Sequence, residues 1–172
     1  MRRSERVGSL IGAVGGLLFV LVNAGGLPGG VAWAARVLGV AAFVAVVILV
    51  VLRRGGTVAE DPPSRRQIRT YGISVTVMVL AIIAGARVLD ASGRAELVVV
   101  WVVLCVGAHF LPFARAFAVP VFARLGLVLI GLAVVGVVVA LTTASAVAPA
   151  ATAVLAGLAL LAAALSPGLR RR

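Results

Sequence analysis

Residues 101–120 read WVVLCVGAHFLPFARAFAVP, and they hold the chain's only histidine, His109, and its only cysteine, Cys105. The segment is apolar as far as Pro112 and then meets Arg115. Extended back to Ala95, it becomes a run of about 20 residues, enough for one helix to cross a hydrocarbon core of ~30 Å. Transmembrane barrel strands are about 10 residues long and alternate in polarity, whereas this run is longer and apolar on every side. It therefore predicts a transmembrane helix that ends against a basic boundary.

Comparable runs recur upstream and downstream, and they predict spans at residues 7–24, 31–52, 71–89, 95–113, 121–141 and 147–165. The composition agrees. The chain has 172 residues, of which 63% are hydrophobic and 12% charged, and a mean hydropathy of +1.22. A soluble domain carries about 25% charged residues. The predicted fold class is all-α, an integral membrane bundle of six transmembrane helices forming a single domain over residues 1–172.

The connections differ in character. GGLPGG at residues 25–30 is a tight turn, because proline fixes φ while glycine permits positive φ. It joins the first two spans as a helical hairpin. Residues 53–70, RRGGTVAEDPPSRRQIRT, form the one substantial hydrophilic loop, and the pairs Gly55-Gly56 and Pro62-Pro63 oppose a continuous helix there. Residues 91–94 make a short turn. Residues 113–124 read as an interfacial connector carrying Arg115, Arg124, Phe117 and Phe122, and residues 142–148 as a polar turn. Pro149 then sits in the first turn of the last span, where its missing N–H costs least. In the first span Gly8, Gly12 and Gly16 recur at four-residue spacing, which predicts a face for close helix approach. A cleaved signal peptide is the rival reading of that span, since Val22, Asn23 and Ala24 resemble a small-residue cleavage site.

The net charge of +11 does not indicate nucleic acid binding. All 16 basic residues are arginine, and most flank the apolar runs instead of forming one patch. With both termini in the cytoplasm, 13 of the 16 arginines fall inside, leaving Arg36, Arg87 and Arg94. No displacement by one span preserves that asymmetry, so the positive-inside rule favours six spans with both ends in. Arginine without lysine, beside abundant alanine, valine and glycine, points to a GC-rich bacterial genome and hence to a plasma-membrane location. Ala35, Arg36, Val37, Leu38 and Gly39 have an echo in Ala123, Arg124, Leu125 and Gly126. It reads as an inverted repeat or as the chance echo that an alanine-, valine-, leucine- and glycine-rich chain readily produces.

Two groups of polar residues are candidates for chemistry. Arg36 lies about 9 Å into the second span at 1.5 Å per residue. Arg87 and Asp90 close the third span and Glu96 opens the fourth. The predicted topology puts all four at one depth near the outer boundary, as a polar vestibule with Arg36 paired to Glu96 or Asp90, or as interfacial charges with Arg36 snorkelling. The second group is Cys105 and His109, four residues apart on one helical stripe with Trp101. Metal binding needs further ligands and the chain has no second histidine, so no metal or cofactor is expected. His109 reads as a boundary residue bonded to a carbonyl freed by Pro112, with a proton-relay role as the alternative. Ser74 and Thr76 read as hydrogen-bonding groups to backbone or a neighbouring helix.

The peptide Gly107, Ala108, His109, Phe110, Leu111, Pro112 is similar to a segment that ends a central span in uncharacterised small multi-pass membrane proteins of high-GC actinobacteria. The resemblance covers this motif and the overall hydropathy, and it implies a membrane location with no established activity. No Walker loop, HExxH or GxSxG motif is present. The expected function is that of a structural or accessory membrane protein, not an enzyme, with the lipid bilayer and a second copy or another membrane protein as partners. The alternatives are a small transporter or channel using Arg36, Asp90, Glu96 and His109, and a membrane enzyme or redox carrier using Cys105 or His109.

Overall fold

A computed structural model describes residues 3–52 and 64–169. The described residues form six α-helices: α1 Arg3–Asn23, α2 Gly29–Leu52, α3 Arg65–Ala91, α4 Val98–Phe117, α5 Pro120–Thr143 and α6 Ala148–Leu169. Short 3-10 turns at Ala24–Gly26 and Ala95–Leu97 precede α2 and α4. All six helices are long and apolar enough to cross a membrane. The glycine and proline pairs of the hydrophilic loop, with Arg53, Arg54, Arg2 and the three C-terminal arginines, lie outside the described residues.

Two connections are shorter than the hydropathy pattern predicts. The expected loop over residues 53–70 gives way to helix at Arg65. Ser64 and Gln67 form a reciprocal cap there: the Gln67 backbone N–H donates to Ser64 Oγ at 3.3 Å, and the Ser64 N–H donates to Gln67 Oε1 at 2.8 Å. This is the Ser-x-x-Gln box, which satisfies helix-end donors that otherwise have no partner. The expected connector over residues 113–124 shrinks to Ala118 and Val119, because α4 runs through Pro112 to Phe117. Phe113 and Phe117 pack in a tilted pair with centroids 4.5 Å apart, and Phe113 also meets Phe122 edge-on at 4.8 Å. That aromatic packing offsets the intrahelical bond that proline removes. Ala118 then closes the helix in the left-handed region at φ 52°, donating its N–H to the Ala114 carbonyl, and Pro120 opens α5.

The chain divides into two compact units, with the boundary falling inside α6. The first contains α1, α2 and the part of α6 from Val154 onward. On α1 the buried face is Ser9, Ala13, Gly16 and Val20, continued by Ala24 in the 3-10 turn. Gly8 and Gly12 do not share it, and a Cβ on either would meet nothing within 4 Å. The reason is helical drift: a four-residue step turns the face by about 40°, so only Gly16 of the three reaches the interface. There a Cβ would lie 2.7 Å from the Gly157 carbonyl oxygen, and a Cβ on Gly157 2.5 Å from that of Gly16. On the α2 side Gly39 receives Val20, whose Cγ1 is 2.9 Å from the position of an added Cβ.

The second unit contains α3, α4, α5 and the first residues of α6. Here α4 is central, with α3 on one side and α5 on the other. The α4–α5 crossing is set at Gly107 and Gly126, and Gly136 of α5 receives Thr152 of α6. Without a hydrophobic drive between helices in lipid, such backbone approach supplies the packing contact. No residue of α3 is buried, so this helix lies at the unit's periphery and leaves a groove along α4.

Candidate functional site

The polar groups of the second unit gather along that α3–α4 face. Residues one helical turn apart share a stripe, and Trp101, Cys105 and His109 accordingly project toward α3, with Cys105 buried and the other two half-buried. Trp101 Nε1 donates to the Ala81 carbonyl at 2.8 Å, and its indole occupies the space that a side chain on Gly85 would need. Gly85 is therefore required by the ring.

Ser74 Oγ lies 2.7 Å from His109 Nδ1 and donates to the His109 carbonyl at 3.4 Å. With the proton on Nδ1 both contacts form together, the ring donating to Oγ and the hydroxyl to the carbonyl. Nε2 is then the acceptor nitrogen. The partner of His109 is thus a hydroxyl on the neighbouring helix, not a carbonyl released by Pro112. The difference arises because Ser74 reaches the ring across the helix pair, a contact that spacing within α4 cannot reveal. Tyr71 meets His109 edge-on at 6.3 Å and Phe113 at 5.7 Å. Phe110 stacks on Phe122 at 5.8 Å. One turn before Tyr71, Gln67 Nε2 donates to the Ala116 carbonyl at 3.1 Å and ties the start of α3 to the end of α4.

The charged candidates are placed differently. Arg87, Asp90 and Glu96 are exposed around the α3–α4 turn and make no side-chain hydrogen bond or ion pair among the described residues. Arg36 belongs to the first unit. It is half-buried in α2, with its Nη2 3.7 Å from where a Cβ on Gly25 would stand. Helical side chains lean toward the N-terminus, so the arginine carries its charge back to the 3-10 turn at the helix boundary, the geometry of snorkelling. His109 sits on α4, well removed along the helix from Glu96. Cys105 and His109 have no companion His, Asp or Glu with which to form a metal-binding group among the described residues.

Sequence reading did not find Tyr71, Gln67 or Arg66 as members of this face. The Ser-x-x-Gln spacing was the available signal for Gln67, since it extends α3 far enough for that side chain to reach α4. Comparison of the chain with protein-family models, curated proteins and solved structures found no match.

Proposed function

We propose that the chain is a multi-pass protein of a bacterial plasma membrane, with both termini in the cytoplasm, serving as a structural or accessory component without catalysis of its own. Its partners are lipid and a second membrane-embedded chain. The observation that carries this reading is the closed hydrogen bonding of the helices. Among the described residues no buried side-chain nitrogen or oxygen lacks a partner, and the partners are groups of the protein itself, within one helix or on its neighbour. Thr152 donates to the Ala148 carbonyl at 2.9 Å, Asn23 to Phe19 at 2.8 Å, and Ser74 is committed to His109. Transport pathways instead require polar groups that face water or substrate. The arginine distribution supports the orientation.

Single cysteines at positions 36, 90, 96 and 109, in a Cys105→Ala background, test this with a membrane-impermeant thiol reagent. Labelling at 90 and 96 from outside, with 36 and 109 protected, is the expected pattern. Labelling at 36 and 109 would reveal a hydrated path and replace the accessory reading with a small transporter. Labelling of 90 and 96 from the cytoplasmic side would invert the topology.

A further inference from the structure

We infer that the α3–α4 groove holds one acyl chain of an anionic phospholipid of the cytoplasmic leaflet, with the phosphate between Arg66 and Arg115. The inference rests on the membrane orientation proposed above. Two cavities meet in this groove. An apolar one of about 720 Å³ is walled by residues such as Val77, Met78 and Leu104. A second of about 510 Å³ has Ser64, Arg66, Gln67 and Arg115 in its lining. Thr70 and Pro112 line both, so the two lie end to end along the helix pair.

Three observations select the occupant. The first is charge: Arg66 and Arg115 are exposed at the mouth and, among the described residues, bond to no protein group. Guanidinium groups match phosphate geometry. The second is length. From Thr70 to Ala81 along α3, and from Pro112 to Trp101 along α4, the rise is about 16 Å at 1.5 Å per residue. That equals the depth of one leaflet, half of the ~30 Å hydrocarbon core. Trp101, fastened to Ala81 and seated on Gly85, closes the deep end. The third is the groove's chemistry. Its only strongly polar pair, Ser74 and His109, is bonded to itself, which leaves an apolar wall facing the chain. Tyr71, Phe113 and Phe117 pack on one another beside this end of the two helices, the level where aromatic residues favour the membrane interface. Anionic lipid is attracted to basic residues at the cytoplasmic surface.

Trp101 is itself the probe. The chain has two tryptophans, so Trp33→Phe leaves the groove's indole as the only emitter. The full chain in phosphatidylcholine vesicles then receives a small fraction of lipid brominated deep in one acyl chain, with either a phosphatidylglycerol or a phosphatidylcholine head. Brominated phosphatidylglycerol is expected to quench Trp101 well beyond brominated phosphatidylcholine at equal mole fraction. Arg66→Gln with Arg115→Gln should lower that preference by about thirtyfold, the attraction of two basic residues at the surface. Ala108→Phe, which fills the groove from an exposed position, should lower quenching by the anionic lipid without altering the arginines. Equal quenching by the two lipids overturns the site while leaving the membrane reading intact. No quenching by either shows that Trp101 is not within a bilayer, and the membrane reading falls with the site. Loss of the preference on adding inorganic phosphate identifies a free-anion site and also overturns the proposal.

Discussion

Gly107 of α4 and Gly126 of α5 lie backbone to backbone. A Cβ on Gly107 would stand 3.0 Å from the Gly126 carbonyl oxygen, and a Cβ on Gly126 2.7 Å from that of Gly107. The obstacle in each case is main chain, which cannot rotate away as a side chain can. Gly126→Ala should therefore push the helices apart and lower stability by about 1–3 kcal/mol, the range for overpacking. Gly72→Ala, in open space on α3, should instead stabilise by roughly 0.5–1 kcal/mol through helix propensity. Thermal unfolding in detergent separates the two, and equal midpoints would remove the crossing from the packing account.

Along α1 the prediction concerns which glycine matters. Gly16→Leu places a branched side chain against the Gly157 carbonyl and Leu161, and should cost at least the ~1–3 kcal/mol of a packed-core intrusion. Gly12→Leu points into open space and should leave stability unchanged or slightly raised. A larger loss at position 12 than at position 16 would show that α1 packs on a different face.

Ser74 and His109 form the one side-chain bond between α3 and α4 that joins two polar groups within the spans. Interhelical bonds of this kind average about 0.6 kcal/mol and reach ~1.7. Ser74→Ala should cost that amount, and the same change in a His109→Phe background should cost less. A double-mutant cycle with zero coupling would show that the two groups do not support each other.

For Trp101 the sensitive partner is Gly85. A methyl group there occupies the position of the indole nitrogen, so Gly85→Ala should expel the ring and break its bond to the Ala81 carbonyl. In a Trp33→Phe protein the emission spectrum should shift, and stability should fall by about 1–3 kcal/mol. An unchanged spectrum would place the indole elsewhere.

Much of the architecture is legible without coordinates. Long apolar runs must become helices in lipid because every backbone N–H and C=O needs an internal partner, and that condition is local to each run. The helix containing His109 and the hairpin at Gly25 follow from it. The starts and ends were less accessible. Ser64 caps α3 well before hydropathy rises, and α4 continues past Pro112 because Phe113, Phe117 and Phe122 hold its last turn. Arg36 shows the same division. Its depth follows from its number, but the direction of its guanidinium, toward Gly25, does not.

By itself the sequence determined six apolar helices and the placement of arginine at their ends, since both depend on the length and polarity of contiguous segments. Only the tertiary structure decided that Gly16 and not Gly12 meets Gly157, that Ser74 is the partner of His109, and that Arg66 and Arg115 stand at one mouth. The physical reason is the same in each case. Apolar helices in lipid gain nothing from burial alone, so their register is chosen by a few close backbone and polar contacts. Those contacts join residues far apart in the chain, and the period of any single helix carries no record of them.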